Sequence, residues 1–99
     1  DMDRTRYLEL EARLVAIFRA RRAALSAAAV EHFEHYVEHG ELELAYEGLV
    51  LAHAEEGVRV AEEQRDELFA LGLALGLDRE AVYRVDFWPT ALRVLGRES

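Results

Sequence analysis

Residues 42–53 have the sequence LELAYEGLVLAH, and this stretch decides the fold. At about 100° per residue, Leu42 and Leu49 fall on one side of a helix, whereas Leu51 falls almost opposite. A helix that is apolar on two sides is usually enclosed by other helices. The stretch therefore predicts the central helix of a small bundle.

The flanking sequence supplies the helices that would enclose this one. Ala, Leu, Glu and Arg dominate, proline occurs once, and no stretch alternates apolar and polar residues convincingly, which favours helices over strands. Caps and periodicity place four main helices at about 3–22, 27–39, 41–56 and 62–75. We therefore expect an all-α fold in one domain over residues 1–99, a small bundle of four main helices plus short C-terminal helical segments.

Individual residues predict where the helices begin and end. Ser26 is a good N-cap acceptor for the second helix. Gly40 and Gly57 stand where a left-handed residue commonly closes a helix. After the fourth helix, Asp78 is expected to cap a short turn over residues 79–83.

Two large aromatic residues lie beyond this turn. Phe87 and Trp88 precede Pro89 and lead into a last short helix that is expected to end near Gly96. We interpret them as a hydrophobic plug that closes the bundle. An aromatic patch that faces a partner is the alternative.

The composition restricts the classes of function. The chain has 99 residues, a formal net charge of −8 and no cysteine, which predicts one core and excludes disulfides, thiolate catalysis and zinc–thiolate sites. No apolar run reaches about 18 residues and no signal peptide is recognisable, so we expect a cytoplasmic protein that does not bind membranes. The negative charge argues against nucleic acid as a partner.

Negative charge is concentrated in the middle of the chain. From Glu31 to Glu56 the sequence carries eight glutamates and no lysine or arginine, although opposite charges one turn apart would stabilise helices better. Segregated charge attracts a basic partner, so we predict a protein-binding surface, with an ordinary solvated helix face as the alternative. The predicted contact residues are Glu31, Glu34, His35, Tyr36, Glu38, His39, Glu43, Glu47, Glu55 and Glu56.

Little in the sequence favours catalysis. Hydroxyl nucleophiles are few, Ser26 is explained as a cap, and no glycine-rich phosphate loop is present, so we expect neither enzyme activity nor a cofactor. The row His32, His35 and His39 gives the main alternative function, a metal-binding helical bundle, although exposed histidines are the simpler interpretation. His53 lies on an apolar stripe and is expected to be a hydrogen-bonded core histidine.

The middle of the chain resembles a known family. The motifs are VEHGE at residues 37–41, LAYEGL at 44–49, EEGV at 55–58 and LGLALGL at 71–77. Together they resemble the MafI family of immunity proteins, which are small cytosolic proteins that neutralise secreted bacterial polymorphic toxins in the producing cell and its kin. The resemblance covers about residues 30–77.

The resemblance implies a cognate protein toxin as the partner. Toxins of this kind often have basic clefts, which an acidic helical face could cover. The family pattern also implies scaffold roles for Gly40, Glu41, Glu47 and Gly57. A homodimer joined through the apolar stripe of the first helix is a further alternative.

Overall fold

In a computed structural model that describes residues 3–82 and 84–97, the described chain is helical and contains no strand. The predicted all-α fold class is therefore confirmed. The helices are α1 (Arg4–Arg21), α2 (Ala27–Glu38), α3 (Leu42–Glu56), α4 (Glu62–Ala74) and α5 (Phe87–Val94), with a 3₁₀ turn at Arg22–Ala24.

The predicted cap residues set the ends of α2 and α3. Ser26 Oγ accepts a hydrogen bond from the backbone N–H of Ala29 at 3.1 Å, as expected for an N-cap. Gly40 and Gly57 have φ values of +73° and +67°, which residues with a Cβ rarely adopt. The sequence therefore located these ends to within two residues.

Helix α3 is the centre of the bundle, as predicted. Helices α2 and α5 pack along it, and α1 packs on both α3 and α4. Nine of its residues are buried, and burying one Leu side chain contributes about 1.5–3 kcal/mol to stability. They are Leu42, Ala45, Tyr46, Glu47, Leu49, Val50, Leu51, Ala52 and His53.

The apolar stripe of α1 is used inside the chain. Leu10, Leu14 and Ile17 are buried, and Phe18 stacks on Phe33 of α2 with ring centroids 4.1 Å apart. Because this stripe already covers the core, it is not available to a second copy. The alternative of a homodimer joined through this stripe loses its structural basis.

The two aromatic residues of α5 close the bundle, as interpreted from the sequence. Phe87 is fully buried and meets Tyr46 edge to face at 6.1 Å between centroids. The half-buried Trp88 lies over Gly72, where a Cβ would come within 2.7 Å of the indole ring. Tyr46 also donates to the carbonyl oxygen of Leu68 at 2.5 Å, which ties α3 to α4.

The segment between α4 and α5 is irregular. The expected turn at 79–83 is instead centred on residues 75–79, and Tyr83 lies outside the described residues. The last helix ends at Val94, and Gly96 follows with φ +69°, as expected. No helix in the described ranges is both long and apolar enough to cross a membrane.

Candidate functional site

One side of α2 brings together half of the predicted contact residues. Glu31, Glu34 and Glu38 are spaced three and four residues apart, so they lie within about 60° of one another around the helix. His35 and His39 follow beside them. All five side chains are exposed, and we call these five residues the α2 face.

Among the described residues, one basic side chain from outside α2 forms an ion pair with the α2 face. Arg22 Nη1 lies 3.6 Å from Glu34 Oε2, and both side chains are half exposed. An exposed pair of this kind contributes about 0–1 kcal/mol. Glu31 and Glu38 form no ion pair with any residue in the described ranges. Two of the three carboxylates of the face therefore lack an ion-pair partner among the described residues, and Arg19 and Arg22 line a groove with Glu34 and Glu38.

The three histidines of α2 do not act as one group. His35 and His39 are exposed with ring centroids 4.3 Å apart, and His39 Nδ1 donates to the carbonyl oxygen of His35 at 2.8 Å. His32 instead packs on α3, where a Cβ added to Gly48 would lie 2.3 Å from the imidazole. The prediction that all three histidines face away from the core is thus wrong for His32.

The structure offers little for the metal alternative. Within the described residues, no group of three or more His, Asp or Glu side chains is arranged to hold a metal ion. His35 and His39 are adjacent at the C-terminal end of α2, but His32 packs on α3 and does not join them.

Tyr36 borders the α2 face. Its ring is half-buried and meets His32 and His35 edge to face, with centroids 4.7 and 5.0 Å away. A tyrosine held in this way keeps few rotamers in the free protein, which lowers the entropy cost if a partner covers its exposed edge.

The end of α3 adds two more exposed glutamates near the start of α2. Glu56 accepts hydrogen bonds from Ser26 N and Ser26 Oγ at 2.9 and 2.6 Å. These bonds hold the pKa of the Glu56 carboxyl below its usual value, and its charge suits the positive end of the α2 dipole. Glu55 lines a groove between the two helices beside His32.

Two predicted contact residues lie elsewhere. Glu47 is fully buried, and its Oε2 accepts from the backbone N–H of Val82 at 2.6 Å. It therefore supports the segment after α4 and cannot belong to an exposed surface, so its prediction as a contact residue is wrong. Glu43 is half-buried and lines a separate depression with Arg79 and Glu80. The predicted continuous surface is consequently smaller than the sequence suggested.

Comparison of the chain with protein-family models, with curated proteins and with solved structures finds no match. The resemblance to the MafI family therefore stays a prediction.

Proposed function

We propose that this chain is an immunity protein of the bacterial cytoplasm that binds a basic toxin through the α2 face and occludes the toxin's active surface. The observation that carries the proposal is the row of exposed carboxylates in which Glu31 and Glu38 form no ion pair with a described residue, although Arg19 and Arg22 line a groove beside Glu38. Adjacent like charges cost a helix some stability, and a basic partner would offset that cost.

The physical consequence is an association that depends on charge. Complementary potentials accelerate encounter and fix the orientation of the partners, and both effects weaken as salt screens the charges. A basic cleft that binds an anionic substrate would be covered by the same carboxylates. Tyr36 offers an aromatic contact at the border of this surface.

The first test is a pull-down of the tagged chain against the C-terminal domain encoded directly upstream of its gene, at low and at high salt. We expect binding at low salt that weakens at high salt. Absence of binding at both salt concentrations would refute immunity against that neighbour.

Charge reversal then tests the surface itself. The double variant Glu31→Arg with Glu38→Arg should weaken binding at least about tenfold, which corresponds to about 1.4 kcal/mol. Glu34 is left intact because it already pairs with Arg22. The matched control reverses Asp78 and Glu80, which are exposed in the segment after α4. Equal losses in both double variants would mean that net charge, and not the α2 face, governs binding.

A further inference from the structure

A cavity of about 540 Å³ lies on another part of the molecule, between the end of α3, the following loop, α4 and α5. Its volume falls within the range of about 300–1,000 Å³ that is typical of small-molecule pockets. It shares no lining residue with the α2 face. The cavity is therefore a separate place on the molecule from the proposed toxin contact.

The cavity is basic although the chain is acidic. Among the described residues, its ionisable lining side chains are Arg59, Arg65, Arg93 and His53, and none is acidic. These arginines come from the loop after α3, from α4 and from α5. Guanidinium groups from three segments that face one cavity are the usual means of binding phosphate oxygens, because each presents a planar fork of donors.

The three arginines differ in their local contacts. Arg93 Nη2 donates to Thr90 Oγ1 at 3.1 Å, one turn earlier on α5. The carbonyl oxygen of Arg59 accepts from Arg21 Nη2 at 2.7 Å, which anchors the loop to α1. The buried Nε of Arg65 has no hydrogen-bond partner among the described groups.

The fourth ionisable lining residue, His53, is 2% exposed. Its Nδ1 lies 2.9 Å from the carbonyl oxygen of Leu49, which can only accept, so Nδ1 carries the proton. Burial lowers the pKa of His53 and Arg21 adds to this effect, while the hydrogen bond to Leu49 and the charge of Glu56 oppose it. The neutral ring therefore presents Nε2 as an acceptor, and this buried atom has no partner among the described residues.

We propose that this cavity binds a small phosphate-bearing molecule, whose phosphate oxygens accept from the arginines while an O–H group of the ligand donates to His53 Nε2. The donor can be the protonated oxygen of inorganic phosphate or a hydroxyl of an organic phosphate. Both sources satisfy the guanidinium donors and the buried acceptor together.

Calorimetric titration of the full chain with inorganic phosphate at pH 7, in a phosphate-free buffer, tests the proposal. We expect saturable 1:1 binding with a Kd on the order of 1 mM or tighter. The variants Arg59→Gln and Arg93→Gln should each weaken binding about tenfold or more. The control Arg79→Gln, which removes the same charge from a different depression, should leave the Kd unchanged. No saturation, or an equal loss in the control, would overturn the proposal.

Sulfate tests whether His53 Nε2 accepts a hydrogen bond from the ligand. It matches phosphate in shape but carries no proton at pH 7, so it cannot donate to Nε2, and we expect it to bind about tenfold more weakly. Equal binding of the two anions would refute the acceptor role of His53. Because a His53 variant could fail to fold, the second readout is the Nε2 chemical shift in long-range ¹H–¹⁵N spectra. This signal should move with phosphate and saturate at the calorimetric Kd.

Ribose 5-phosphate distinguishes the two sources of the phosphate group. Binding tighter than that of inorganic phosphate would assign the cavity to an organic phosphate. Equal or weaker binding would assign it to the free ion. Either result supports a phosphate site if Arg59→Gln and Arg93→Gln weaken binding as expected.

Discussion

At the scale of single residues, Glu47 and Glu31 show how one residue type serves two purposes. Glu31 is exposed on the α2 face, whereas Glu47 is enclosed and accepts a backbone hydrogen bond from Val82. Both are glutamates of the same acidic stretch, so composition alone does not distinguish them. The segment after α4, which lies 35 residues further along the chain, meets Glu47 in the fold and gives it a scaffold role.

The first prediction follows from this difference. Glu47→Ala should lower the free energy of unfolding by about 2–3 kcal/mol, because the Val82 N–H loses its acceptor and a buried void forms. The exposed counterpart Glu31→Ala should change it by less than about 0.5 kcal/mol. Urea unfolding followed by circular dichroism measures both. Similar values for the two variants would contradict the assigned role of Glu47.

The second prediction concerns pH and His53. Because the folded state lowers the pKa of His53, the unfolded chain binds more protons once the pH falls below about 6.5. Stability should therefore be constant above that pH and decline below it, towards the folded pKa of the ring.

NMR titration of the histidine ring signals checks this assignment directly. His53 should titrate below about pH 6.5, the ordinary pKa of a histidine, and a His53 titration at or above that pH would refute it. Urea unfolding at pH 7.5 and 5.5, in buffers without phosphate, then gives the change in stability.

At the scale of helices, the contact between α2 and α3 depends on a residue without a side chain. The imidazole of His32 occupies the space over Gly48, so the two helices approach closely along this line. Glycine in a helix interior costs about 1 kcal/mol relative to alanine. The close packing of His32 offsets that cost.

The third prediction is that Gly48→Ala changes stability in opposite directions in two backgrounds. In the native chain, Gly48→Ala should destabilise by about 1–3 kcal/mol, since the new methyl group collides with His32. In a His32→Ala background the same substitution should stabilise by up to about 1 kcal/mol, because only the gain in helix propensity remains. Thermal and urea unfolding of the native chain, the two single variants and the double variant completes the double-mutant cycle. A Gly48→Ala effect of the same sign in both backgrounds would mean that His32 does not limit the approach.

At the scale of the whole molecule, the sequence predicted the fold better than the surface. The caps at Ser26 and Gly57 and the enclosure of α3 depend on neighbours in sequence or on helical periodicity, so they could be located in advance. The burial of Glu47 and the contact of Arg22 with Glu34 depend on which segments meet in space. A glycine inside the third helix was the one sequence signal for the close approach of His32.

The basic cavity was missed for the same reason. Arg59, Arg65 and Arg93 are far apart in the sequence, and each alone resembles an ordinary surface arginine. Their convergence requires α5 to return against the end of α3. The distribution of charge along the sequence therefore indicated the acidic region but gave no sign of the basic cavity.

The packing of Trp88 against Gly72 also gives the protein an optical reporter. Trp88 is the single tryptophan, and its indole is half-buried between α4 and α5 with Phe69 5.9 Å away. Indole emission shifts to longer wavelength when water replaces such neighbours. Fluorescence of the unlabelled chain will therefore report specifically whether the C-terminal helix is docked, even while α1, α2 and α3 remain folded.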